Sequence, residues 1–185
     1  MFERFTKDAR DVVTGSVEHS ERAGADAVTE EHLLLAMLDQ QGTRAAFAFT
    51  ALGIRDRRES VERALADARR RGGLSKADED ALAGLGIDVG EIVSRVEETH
   101  GRGALQSGPK AKRWWAGHRS FTPSAKDTLV QSLRIAVGRG DREIGGEHFL
   151  LALTARPGVV ADVLAEHGAT YESVERVMYG GGGGA

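Results

Sequence analysis

The chain has 185 residues, 41% of them apolar and 29% charged, with 24 glycines, no cysteine and a formal net charge of −3. That size supports one ordinary domain or two small ones with a real core, and the absence of cysteine excludes disulfides, thiolate metal sites and cysteine nucleophiles together. No run approaches the roughly 18 to 20 apolar residues of a membrane span, and Met1 to Arg10 lacks the apolar centre of a secretory signal, so the chain reads as a soluble cytoplasmic protein.

Phe5, Ala9, Val12, Val13, Ser16, Val17 and Ser20 recur at steps of three and four, which predicts one buried face of a helix. Thr6 is placed to cap its start, and Gly24 to end it with positive φ. A short loop leads into Glu31 to Leu38, apolar on almost every side and so expected to be buried. A third helix is predicted near Thr43 to Ala51, a turn at Leu52-Gly53-Ile54, and a fourth helix at about Arg55 to Arg70. Between Gly72 and Thr99 the segments Ala81 to Ile87 and Asp88 to Val96 predict one or two further helices.

From Thr99 to Lys126 there is no acidic residue, but there are Arg102, Lys110, Lys112, Arg113, Arg119 and Lys126, which leaves 19 basic against 28 acidic residues elsewhere. The same stretch holds Gly101, Gly103, Gly108, Pro109 and Gly117, and reads as a basic linker. Beyond it the pattern begins again. Shifting the chain by 116 residues lays Phe5 to Met37 on Phe121 to Leu153 without a gap, with identity at Phe5, Thr6, Ala9, Asp11, Ser16, Gly24, Glu31, His32, Leu34, Leu35 and Ala36. One supersecondary unit is used twice. Thr122 and Gly140 take the capping positions, Pro123 fits the first turn, and helices follow at Glu147 to Leu153, Gly158 to Glu166 and Thr170 to Met178.

No alternating β-branched run appears, so the expected fold is all-α: two pseudo-twofold-related four-helix repeats with a helical insert and a basic linker. The predicted division is 1–71 for the first repeat, 72–99 for the insert, 100–120 for the linker, 121–179 for the second repeat and 180–185 for a glycine tail.

The order F-T-x-x-A, Gly, E-H-x-L-L-A, L-G-I, met twice, resembles the double Clp N-terminal repeat at the front of the ClpA and ClpC class of AAA+ unfoldases. MFERFT at the start and F-T-P-x-A-K at Phe121 to Lys126 are similar to the openings of the two ClpC-type repeats. The resemblance implies a docking module that binds adaptors and substrates for an ATPase ring. Two surfaces carry over by residue. Phe2, Arg10, Phe121 and Lys126 match the columns that cyclic peptide antibiotics use in ClpC-type domains, where rings and flanking cations suit a peptide rich in aromatic and carbonyl groups. Glu31 with His32 and Glu147 with His148 match the pairs with which the family reads phosphoarginine. The alternative for these pairs is that the glutamates complement the helix dipole and the histidines fill a polar gap. Glu30 and Gly146 stand where the family has threonine.

A phosphate-binding Gly-Lys-Ser/Thr loop is absent, since the five lysines follow Thr6, Ser75, Pro109, Ala111 and Ala125. Taken as a full chain, the sequence therefore reads as a free-standing docking domain without nucleotide chemistry. No metal-ligand spacing among the six histidines and no nucleophile elbow is present, so the expectation is no metal, no cofactor and no enzymatic activity. The expected partners are a peptide or protein ligand, including a Clp ATPase, its adaptor or its substrate. Lys110, Lys112, Arg113, Trp114 and Trp115 combine cations with stackable rings, and give the alternative of a nucleic-acid contact.

Overall fold

The computed structural model describes residues 4–106 and 119–180. Helix α1 (Lys7–Arg22) starts at the Thr6 cap, whose hydroxyl accepts from the Ala9 amide at 3.3 Å, and stops before Gly24 at φ 63°. It is followed by a two-residue strand β1 (Ala27–Val28), α2 (Glu30–Asp39), α3 (Arg44–Ala51) and α4 (Arg58–Arg70). The second repeat supplies β2 (Ser120–Phe121), α7 (Pro123–Arg139), α8 (Gly146–Ala155), α9 (Val159–Glu166) and α10 (Tyr171–Tyr179). Its first helix repeats the construction of α1, with Thr122 accepting from the Ala125 amide at 3.3 Å, Pro123 in the first turn and Gly140 at φ 77° as the C-cap. The fold is all-α, as the periodicity implies.

Between the repeats, Ser75 caps α5 (Lys76–Gly84) and Asp88 caps α6 (Val89–His100), so the insert is a helical hairpin. A 3-10 turn at Ala104–Gln106 then packs against α4 and α6. The hairpin is fastened at one end, where Nη2 and Nε of Arg70 donate to the Glu97 carboxylate at 2.8 and 3.1 Å and the Gly103 amide donates to the same group at 3.0 Å. Those contacts hold the Glu97 carboxyl down to a pKa of about 2.

The core is continuous across the repeats, and contains Phe5, Leu33, Leu34, Met37 and Phe49 from the first with Phe149, Leu150, Leu151 and Leu164 from the second. Phe5 and Phe149 meet edge to face at 5.4 Å. Small residues let the helices approach. A Cβ on Gly15 of α1 would lie 3.2 Å from the Ala36 methyl of α2. Buried Ser16, Ser20 and Ser132 return their hydroxyls to carbonyls three residues back at 2.7 Å, which satisfies them inside their own helices.

The strands carry the tie that sequence periodicity does not announce. Val28 pairs in parallel with Phe121, and Phe5 pairs with Ile144. These are the same pairing seen twice, because Phe121 and Ile144 are the repeat mates of Phe5 and Val28. Each repeat therefore sends the segment before its first helix into the other repeat, where Thr6 donates to Ile144 O at 3.0 Å and Thr122 to Val28 O at 2.9 Å.

Candidate functional site

The reciprocal crossing positions the first set of predicted residues. Arg10 and Lys126 are repeat mates, and each lies one turn into its helix, with its amide donating to the capping Thr6 or Thr122 carbonyl. Both side chains are exposed, and among the described residues neither forms an ion pair. Phe121 is half-buried at the β1–β2 pairing, unlike its mate Phe5, which is 2% exposed. The difference has a physical source in the sequence: Phe5 meets the Phe149 ring edge to face, whereas the repeat mate of Phe149 is the smaller Leu33. One ring is thereby locked in the core, and the other is half-buried against it. Phe2 lies outside the described residues. Two cations and one accessible ring suit a ligand with carbonyl or carboxylate oxygens beside aromatic groups.

The second set, the two Glu-His pairs, sits at the starts of α2 and α8. In each repeat the histidine caps its helix: His32 Nδ1 accepts the Thr29 amide at 3.0 Å, and His148 Nδ1 accepts the Gly145 amide at 2.9 Å. Accepting through Nδ1 requires a neutral ring with its proton on Nε2. His148 spends that proton on the Asp141 carboxylate at 3.0 Å. At His32 burial, and then the nearby His19 and Arg119 charges, lower the pKa from 6.5 to about 4.

The glutamates beside them are engaged by internal arginines, Glu31 by Arg69 of α4 and the buried Glu147 by Arg44 of α3 at 3.1 Å. Arg44 also lies 4.9 Å over the Tyr179 ring, with Arg139 at 3.5 Å over the same ring. The helix-start amide that an anion would use on α8 is taken as well, since Gly146 N–H donates to Asp8 Oδ2 at 3.0 Å. At the opposite junction Thr128 donates to Glu30 at 2.9 Å. The two junctions are related by the repeat: Asp8 faces the Gly146 amide at one, and Thr128, on the helix that mates with α1, faces Glu30 at the other, where Ser124 is the repeat mate of Asp8. Acids on both sides of a junction would repel, so Glu30 and Gly146 are explained by what stands across from them. A phosphorylated guanidinium entering either pair would have to displace Arg69 or Arg44.

Asp8, Arg44, Arg69 and Tyr179 escape sequence reasoning because each acts across elements. Only the complementary columns 8/124 and 30/146 carry a signal for the junctions. An open depression of about 520 Å³ on α3, lined by Thr43, Phe47, Thr50 and Arg55 among others, contains none of the predicted site residues. Lys110, Lys112, Arg113, Trp114 and Trp115 lie outside the described residues. Among the described residues no three His, Asp or Glu side chains gather as metal ligands, and no single helix is long and apolar enough to cross a membrane.

A family model described as the Clp repeat (R) N-terminal domain matches residues 4–78 and 120–179. The chain is 31% identical over 198 residues to chaperone protein ClpC1, chloroplastic, of Oryza sativa subsp. japonica, an alignment that takes in 100% of this chain and 17% of that protein. It is 32% identical over 170 residues to chaperone protein ClpC2, chloroplastic, of Arabidopsis thaliana, covering 91% and 14%. The chain thus spans less than a fifth of the length of these relatives. Among solved structures it is similar to the N-terminal domain of the caseinolytic protease associated chaperone ClpD from Arabidopsis thaliana, with TM-score 0.53, 18% identity and coverage of 100% and 97%. It is also similar to a chain from preliminary structural investigations of a malarial protein secretion system, with TM-score 0.56, 11% identity and coverage of 95% and 92%. At those identities the likeness is one of fold.

Proposed function

Since the chain belongs to the Clp repeat N-terminal domain family, whose domains bind substrates or adaptors, we propose that it is a non-catalytic module that docks a peptide segment of a substrate, degron or adaptor. The ligand lies over the repeat crossing, with its aromatic or aliphatic groups against Phe121 and Phe2, and its carbonyl or carboxylate oxygens on Arg10 and Lys126. By the same chemistry the surface takes up a ClpC-directed cyclic peptide antibiotic, so that the protein competes for such a ligand or modulates a Clp ATPase. The observation that carries this reading is the asymmetry of the two mated phenylalanines: Phe5 is sealed in the core while Phe121 stays half-buried, and the mated Arg10 and Lys126 are both exposed with no ion pair among the described residues.

The Glu-His pairs support the frame on which that surface is built. Their histidines close the helix starts, and their glutamates tie α2 to α4 and α8 to α3. Calorimetric titration with a ClpC-directed cyclic peptide tests the proposal. Saturable binding that weakens at least tenfold in the combined Phe121→Ala, Lys126→Ala variant supports it, whereas binding of equal strength in both proteins rejects this surface.

A further inference from the structure

Phe47 is the one aromatic among the large apolar side chains left exposed in the described residues, at 63%, although Phe49, two residues on in α3, is fully buried. The repeat shows that folding places no demand for a ring at this position. Helices α3 and α9 are both eight residues long, and each runs into a turn with a glycine of positive φ and a buried apolar residue, Gly53 and Ile54 or Gly168 and Ala169. That register lays the C-cap Leu52 on the C-cap His167 and the buried Phe49 on the buried Leu164. Phe47 then falls on Asp162, so the second repeat builds the same helix with a carboxylate where the first exposes a ring.

Phe47 lines the open depression of about 520 Å³ on α3, together with Ala46, Thr50 and Arg55. That volume lies within the range of ligand pockets, and apolar walls with a few polar groups are what such pockets use. Arg55 is the only charged residue of the lining. Its guanidinium donates to the Gln40 carbonyl, and no carboxylate pairs with it among the described residues, whereas Arg44 pairs with Glu147 and Arg58 with Asp39 and Glu62. An exposed ring and an uncompensated cation in one depression complement a segment that brings an apolar side chain and a carboxylate. We propose that the α3 depression is a second docking site, whose occupant is an acidic, apolar peptide segment of a partner protein. The apolar side chain of that segment packs on Phe47 and Ala46, and its carboxylate pairs with Arg55. Arg10, Phe121 and Lys126 are not part of this lining, so the site is independent of docking over the repeat crossing.

Amide chemical-shift titration of the full chain with two synthetic peptides, acetyl-Glu-Leu-Phe-Glu-amide and acetyl-Lys-Leu-Phe-Lys-amide, tests the site. The acidic peptide is expected to give saturable shifts at Gly42, Phe47 and Thr50, to bind at least fivefold more tightly than the basic one, and to weaken as salt is added. Phe47→Asp introduces, at an exposed position, the residue type that the second repeat already accepts there, and should weaken the acidic peptide at least tenfold with the circular dichroism unchanged. Arg55→Gln keeps a donor for the Gln40 carbonyl while removing the charge, and should weaken it about threefold. Phe121→Ala with Lys126→Ala leaves this binding unchanged, so failure here and failure at the crossing are read separately. Four results overturn the proposal: equal affinity for the two peptides; binding unaffected by Phe47→Asp or by Arg55→Gln; shifts at Phe121 and Lys126 in place of α3, which assign the acidic peptide to the crossing; or α3 shifts that grow with protein concentration in the absence of peptide, which assign the face to a second copy.

Discussion

Replacing His32 by glutamine removes a titrating group while leaving an acceptor for the Thr29 amide, because a glutamine at this helix position can reach back to the cap as the histidine does. His32 is 5% exposed, and its pKa is lowered from 6.5 to about 4 by burial and by the charges of His19 and Arg119. A folded-state value below the unfolded one means that the unfolded chain takes up the proton first. His32 therefore leaves stability intact above about pH 6.5 and erodes it as the pH falls toward about 4. With those two values, linkage gives a loss of at most about 2 kcal/mol between about pH 7.5 and about pH 5. Urea unfolding followed by far-UV circular dichroism measures it: the wild-type protein is expected to lose up to about 2 kcal/mol more than His32→Gln over that interval, with the two within about 1 kcal/mol at the higher pH. Identical pH dependence in the two proteins would refute the argument that the capping ring is held neutral.

The two mated phenylalanines give a second comparison by urea unfolding: Phe5→Ala should cost about 3–5 kcal/mol because it opens a cavity beside Phe149, while Phe121→Ala, at a half-buried site, should cost well under half of that. Asp8→Ala leaves the Gly146 amide at the start of α8 without its partner, and is expected to destabilise by about 1 kcal/mol. Hydrogen exchange should then quicken in the first turn of α8; an unchanged rate there would detach Asp8 from the junction. Glu97→Gln removes the carboxylate that gathers Arg70 and the Gly103 amide, and exchange at the C-terminal end of α6 is expected to rise while the core of α2 and α8 keeps its protection.

The helices were readable because their apolar faces repeat at 3.6 residues and their ends carry local chemistry, as at Thr6, Thr122, Pro123 and Gly140. The doubled motif made the fold legible beyond single helices. The crossing of the repeats was not legible, because β1 and β2 are two residues long and pair across more than ninety residues of chain, too short for any period to register. Phe121 and Phe5 look alike in sequence, and their different burial depends on Phe149 against Leu33, a difference that matters only once the core is assembled. The engagement of Glu31 and Glu147 by Arg69 and Arg44 is likewise a property of helices meeting, not of any local motif. Glu30 and Gly146, by contrast, read as departures from a pattern in sequence, and become intelligible in the structure, where Glu30 accepts from Thr128 and the Gly146 amide donates to Asp8.

Docking of a peptide over the repeat crossing is open to amide chemical-shift mapping during titration with a ClpC-directed cyclic peptide. Saturable shifts concentrated at Arg10, Val28, Phe121 and Lys126 are expected, with α5 and α6 little changed. Shifts confined to the α3 depression around Phe47, or no shifts at a saturating peptide concentration, would contradict it.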